Sequence, residues 1–413
     1  MSRVSPNLAG WLAAGCVMAA QWVAGCVQCE REAPGAAGAA AHGEERSVPS
    51  VPLGLRLTKD DVDFAKELAS RVQKQAFPEA VVDDETNANL FIYLAANGSS
   101  PDVIVAALRA MPITFDSAHR RKSHRLPTGD AYGTVVALRL QSERPRVLAA
   151  ALAAARPVLT GARPYGPVID ELSAIAQSHP DLGAQVRAIK ALGEVSGFQQ
   201  HEGIVRTLLH VLEFDRPVVL VTALQQAARH DARGLLDPDA FREHAIRLIR
   251  HSDPAVRGRA ARLAILLAPK DVAVAAAVVG MLHDTHPCAR AFAARALIDT
   301  QDARAIHPLM PLVADMANAR YLIRYQDLNG RQAKVAHFSK TQPLVHDRAI
   351  RAITALSQQT PVPFSAPTAS AATSAQAEQR TADAARQWYA AHRSQLPPAG
   401  PLGEADAERA ATD

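Results

Sequence analysis

Apolar residues recur along this chain at helical spacing almost throughout. Between Asp60 and Ala76, Val62, Phe64, Ala65, Leu68, Ala69 and Val72 gather on one side, behind Thr58 as an N-cap. Asn87–Ala96 carries Leu90, Phe91, Leu94 and Ala95. Pro101–Met111 opens with Ser100 as cap and proline in the first helical position. The same spacing predicts helices at Tyr132–Gln141, Val147–Arg156, Val168–Gln177, Leu182–Val195, Gly203–Leu212, Val218–Arg229 and Ala240–His251. Further helices are predicted at Pro254–Leu267, Val272–His283, Pro287–Ile298, Ala305–Met316 and Asp347–Ser357. Helices this short are marginal alone, so each must bury a face on a neighbour. Ala-Leu pairs at Ala191-Leu192, Ala223-Leu224, Ala296-Leu297 and Ala355-Leu356 suit close helix approach, with leucine filling the gap.

One stretch breaks the period. Tyr321–Tyr325 and Ala333–Phe338 have strand composition, and Asp327-Leu328-Asn329-Gly330 lies between them. Asn-Gly is a strong turn signal, so a β-hairpin is predicted over 321–338. Tyr321, Ile323 and Tyr325 fall on one face of the first strand. That face suits packing on helices, so the hairpin is expected to fold over one edge of the helices; contact with a partner is the competing role.

The segment Asp253-Pro254-Ala255-Val256-Arg257 is echoed 33 residues later by His286-Pro287-Cys288-Ala289-Arg290. Each feeds an alanine-rich helix, and an interval of this length marks stacked helical hairpins. Asp253 is expected to cap the helix and Pro254 to fill its first turn, with Val256 a further structural residue of the motif. Arg257 and Arg290 are expected to reach acidic or carbonyl groups of the adjoining repeat, against the reading of a ligand-binding arginine row. On these residues the chain resembles the HEAT-like repeat family, in the variety (that of the chromophore lyases) with Asp-Pro-x-Val-Arg at the start of the second helix. The resemblance is clear over 253–298 and extends in weaker form over about 165–360; Asp215 and Pro217 keep part of the motif. It implies an all-α fold, an α-solenoid of paired antiparallel helices. Functions in that family range from scaffolding to assisting chromophore attachment, so fold alone does not select one.

Composition agrees with helices. Of 413 residues, 48% are apolar but only 5% aromatic. A net charge of +4 is too mild for a nucleic-acid surface. The cysteines are Cys16, Cys26, Cys29 and Cys288, a spread that makes neither a disulfide framework nor a zinc site.

The N-terminus changes the picture more. Arg3 precedes a mostly apolar run from Leu8 to Gly25, which ends Val23-Ala24-Gly25-Cys26. This resembles the lipobox of a bacterial lipoprotein signal peptide. The resemblance implies cleavage before Cys26 and a lipid on Cys26. Ala13-Ala14-Gly15-Cys16 follows a shorter apolar run, and a plain signal or an uncleaved anchor is the competing reading. All place the folded body outside the cytoplasm, in the cell envelope. The predicted organisation is a signal at 1–25, lipidated cysteine and flexible tether at 26–54, and the helical repeats at 55–360. A linker at 361–374, a helix at 375–394 docked by Trp388, and a disordered tail at 395–413 complete it.

Candidate chemistry is sparse. Arg120, Arg121, Lys122 and Arg125 form the densest basic run and could touch lipid headgroups or a partner; the alternative is a solvated loop. The histidines lack the paired spacing with a carboxylate of a hydrolytic zinc site, including His244 with His251 and His283 with His286. No nucleophile elbow, phosphate loop or dinucleotide fingerprint occurs. Cys288 is expected to be a buried packing residue. The sequence therefore points to a non-enzymatic, membrane-tethered scaffold that binds an envelope protein on the surface of its inner helices, with no cofactor, metal or small-molecule substrate expected. The alternative is an accessory protein resembling the lyase branch, holding a prosthetic group for transfer.

Overall fold

The computed structural model describes residues 63, 67, 85–98, 100–120, 129–160, 164–198, 201–229, 234–336, 344–357 and 375–402. The chain is mostly helical, with one two-stranded sheet among these residues. In order come α1 (Glu85–Asn97), α2 (Pro101–Arg120), α3 (Gly129–Leu140), α4 (Pro145–Ala154), α5 (Arg156–Leu159) and α6 (Gly166–Ser178). Then follow α7 (Leu182–Leu192), α8 (Glu202–Val211), α9 (Pro217–Ala227), α10 (Pro238–Leu248), α11 (Pro254–Leu267), α12 (Val272–Gly280), α13 (Pro287–Ala296) and α14 (Ile306–Leu309). The strands β1 (Leu322–Gln326) and β2 (Gln332–Ala336) precede α15 (Val345–Leu356) and α16 (Ala375–His392).

The starts of these helices are written in side chains. Asp181, Asp237, Asp253 and Asp271 each accept a backbone N–H from the first turn that follows. Proline stands in the first turn of α4, α6, α9, α10, α11 and α13, where no N–H is needed.

Alternate helices pack on one another. α2, α4, α7, α9, α11, α13 and α15 form one series of neighbours; α1, α3, α6, α8 and α10 form another. Within pairs, α1 packs on α2, α6 on α7 and α10 on α11. α9 shows how deep the first series lies: Val218 to Leu224, Gln226 and Ala227 are all buried. A helix apolar on nearly all sides must be surrounded.

Several boundaries differ from the sequence reading, and the helix expected over Ala305–Met316 is α-helical only at Ile306–Leu309, with 3-10 turns at 303–305 and 310–314. α2 does not stop at Met111 but runs through Pro112 to Arg120. The proline leaves the Leu108 carbonyl without its i+4 donor, yet the helix continues past it. Residues 119–120, read as loop, are therefore helical. At the other end, the segment 395–402 is mostly exposed but anchored at two points: Leu402 is buried, and the Pro397 carbonyl accepts from His307 Nε2 at 2.7 Å. The Tyr389 hydroxyl meets His307 Nδ1 at 2.7 Å, and Trp388 is buried, so α16 docks against the 310–314 turn.

The hairpin is an excursion closed at its base, where Asn318 bridges Leu344 and Val345 N–H donates to the Ala317 carbonyl. Its strands pair antiparallel from Leu322↔Ala336 to Gln326↔Gln332. The turn is wider than a two-residue loop. Gly330 N–H donates to the Asp327 carbonyl, Asp327 N–H to the Arg331 carbonyl, and Gly330 takes φ 70°. Tyr321, Ile323 and Tyr325 are half-buried, whereas Leu322, Arg324 and Gln326 are exposed. The inner face lies on α7 and α9. Its tip seats on Gly183, where an added Cβ would stand 2.7 Å from Asp327 Cα. Arg187 and Asp327 pair across this junction at 3.5 Å.

Candidate functional site

The motif turns come first, because they hold α11 and α13 in place. Asp253 Oδ1 accepts from Ala255 N–H and Val256 N–H, and Val256 is fully buried. Pro254 lies buried in the first turn, and Pro287 opens α13 in the same way. Arg257 grips Asp284 with two bonds of 2.8 Å and donates to the His251 and Ser252 carbonyls. Arg290 repeats this one interval later, on Asp315 at 2.7 Å and on the Asp284 and Thr285 carbonyls. Both guanidinium groups are spent on structure, so they form no ligand row. Breaking a pair as enclosed as Arg257–Asp284 costs about 3–5 kcal/mol.

The echo at 286 uses different chemistry for the same cap. His286 Nδ1 accepts the Cys288 N–H at 3.1 Å, which requires the neutral ring. Burial lowers the His286 pKa, in keeping with this role. Burial, reinforced by the Asp253 charge, pushes the Cys288 thiol up to about 12, so it is no nucleophile at neutral pH. The other histidines are engaged separately: His251 Nδ1 takes Asp253 N–H, and His244 meets Arg247. Among the described residues no cluster could hold a metal ion.

The chemistry that stands out is a cleft of ≈ 250 Å³ lined by Arg262, Arg295, Ile298, Asp299, Arg348 and Arg351. Its origin is the repeat. Pro254, Pro287 and Pro343 are each followed eight residues later by arginine: Arg262, Arg295 and Arg351. Five residues after them come Arg259, Phe292 and Arg348. Because α11 packs on α13 and α13 on α15, equivalent positions become neighbours. Arg259 lies over the Phe292 ring at 4.8 Å, a cation–π contact.

Among the described residues four arginines line the cleft with one carboxylate, and Arg262 pairs with it at 3.7 Å. Burial, with the charges of Arg262 and Arg295, holds Arg259 down to about 10. Burial, with Arg295 and Arg351, does the same to Arg348, again to about 10. Arg295 is lowered too, by burial and Arg262. All remain cationic at neutral pH. Burial raises the Asp299 carboxyl against the pull of Arg262 and Arg295. Among the described residues the site is a crowded positive surface, four arginines lining it with one carboxylate. What it can do is hold oxyanions, since the guanidinium fork matches a carboxylate or phosphoryl group.

None of these arginines belongs to the site residues read from sequence, although Arg262 and Arg295 repeat at the same 33-residue interval as the motif. Of the expected basic patch, Arg120 ends α2, while Arg121, Lys122 and Arg125 lie outside the described residues, as does Cys26. Among the described residues no helix is long and apolar enough to cross a membrane. No protein-family model matches the chain, and no curated protein matches it significantly.

Proposed function

We propose that the protein is a non-enzymatic helical-repeat scaffold, a solenoid of paired helices, which holds another protein on the exposed face of the α7–α15 series. The observation that carries this reading is the arginine row itself. Charged residues repeated at one position of successive helices make a continuous recognition surface, as solenoids use, and they cost stability through mutual repulsion unless something binds them. The lipobox-like Val23-Ala24-Gly25-Cys26 supports export and a lipid anchor, so the partner would be a protein of the cell envelope.

Crosslinking in intact membranes, followed by capture of the mature chain, tests the proposal. A discrete envelope protein recovered in stoichiometric amount is the expected result. Recovery of the chain alone, with a bound small molecule seen by native mass spectrometry, would instead favour the accessory, ligand-holding role.

A further inference from the structure

The arginine row has a spacing as well as a charge. Arg262, Arg295 and Arg351 occupy equivalent positions on α11, α13 and α15, which pack side by side. Packed helix axes lie roughly 8–10 Å apart. A polyproline II chain advances about 3.1 Å per residue and returns every third side chain to the same face. One arginine therefore falls opposite every third residue of such a segment laid across the helices.

The cleft's size fits this geometry. Its ≈ 250 Å³ is the space of about eight waters at ~30 Å³ each. That admits a few acidic side chains. Arg295 and Arg351 are exposed, Arg262 is half-buried and Arg348 is buried, so the cations run from the rim to the floor. Ile298 adds an apolar strip for aliphatic stems. On α7 and α9 the equivalent positions are Lys190 and Gln225, both exposed, which continue the row in a polar but less charged form.

We infer that the cleft takes an acidic segment of a partner protein in the polyproline II conformation, whose carboxylates, three residues apart on one face, meet Arg262, Arg295 and Arg351 in turn. This rests on the scaffold reading above. Each contact is a charge-assisted pair in a partly desolvated site, so binding weakens with salt.

The test uses the mature full chain and three probes. The first is a blocked peptide, Glu-Ser-Ser-Glu-Ser-Ser-Glu. The second has the same composition with its acids contiguous, Glu-Glu-Glu-Ser-Ser-Ser-Ser. The third is citrate, a free polyanion. Calorimetry should show the spaced peptide binding roughly tenfold tighter than either of the others. Arg295→Gln and Arg351→Gln should each weaken it by about tenfold, without lowering the melting temperature, because each relieves like-charge crowding. Arg324→Gln, on the exposed face of the hairpin, should change nothing. Equal binding of the two peptides would overturn the spacing. Citrate binding as tightly as the spaced peptide would make this a small-anion site, and no peptide binding at all would remove the site. If the crosslinked partner is still captured by the Arg295→Gln, Arg351→Gln double variant, the cleft inference fails while the scaffold stands. If the spaced peptide binds but no partner is captured, the scaffold reading fails.

Discussion

The Tyr321 hydroxyl donates to Asp253 Oδ2 at 2.8 Å, across 68 residues of chain. The same carboxylate caps α11 through its other oxygen. The Tyr321 ring also stands edge-on to His286 at 5.1 Å. One side chain at the root of the hairpin thus ties together the two motif turns that begin α11 and α13. Burial and the bond to Asp253 push the Tyr321 pKa up to about 12, so the hydroxyl keeps its proton at any working pH.

Tyr321→Phe removes this bond and leaves the ring. Urea unfolding should show a loss of about 1–2 kcal/mol, the usual worth of a hydrogen bond to a charged acceptor at a part-buried site. Asp253→Ala should cost more, since it removes the cap as well. A Tyr321→Phe variant as stable as the parent would show that the hairpin root holds without this link.

The His286 cap makes stability pH-dependent. Its folded pKa lies below the ordinary 6.5, so the unfolded chain binds the proton more readily. The cap's contribution is complete above about 6.5 and is lost as pH falls from there through the folded value. Asp284 adds a second step. Burial alone would raise its pKa, but the bonds from Arg257 and from His286 N–H hold it below 3.8, so that its contribution is lost only under stronger acid. His286→Asn keeps a capping side chain and does not titrate. Melting temperature against pH should lose its decline just below 6.5 in this variant; an unchanged profile would assign the decline elsewhere, His244 being the next candidate because its pKa is also lowered by burial.

Gly183→Ala should lift the hairpin tip. The new methyl would meet backbone atoms, Asp327 Cα at 2.7 Å and Leu328 N at 2.9 Å, which cannot rotate away. Overpacking of this kind costs about 1–3 kcal/mol. Helical circular dichroism should hold, while limited proteolysis should begin to cut at 327–331. Unchanged protease resistance would show that the tip is held by Arg187 and Tyr321 rather than by close contact at Gly183.

Cys26→Ser addresses the membrane tether. If Cys26 carries the lipid, the variant should leave the detergent phase on phase partitioning, and mass spectrometry of the parent should find a lipid-modified N-terminus at Cys26. An unmodified, uncleaved N-terminus in the parent would remove the lipid anchor and leave the uncleaved membrane anchor as the reading.

Helix positions were legible in the sequence because their causes are local. A cap such as Asp253, a proline such as Pro254 and a run of apolar residues every three or four positions act within a few residues of one another, and α11 begins and ends where they place it. The strands around Asn329-Gly330 were legible for the same reason. The end of α2 was not legible: the helix runs on through Pro112 although the proline removes a backbone donor. The destination of the hairpin was decided by tertiary structure: strand composition names an apolar face but not the surface it covers, and Gly183 lies far back in the chain. The arginine cleft is divided between the two. The 33-residue recurrence of Arg262 as Arg295 is written in the sequence. That Arg351 joins them depends on the chain returning, after the hairpin, to lay α15 beside α13. Charges separated by tens of residues become one site only when packing removes the intervening chain from between them, and no local rule of spacing contains that information.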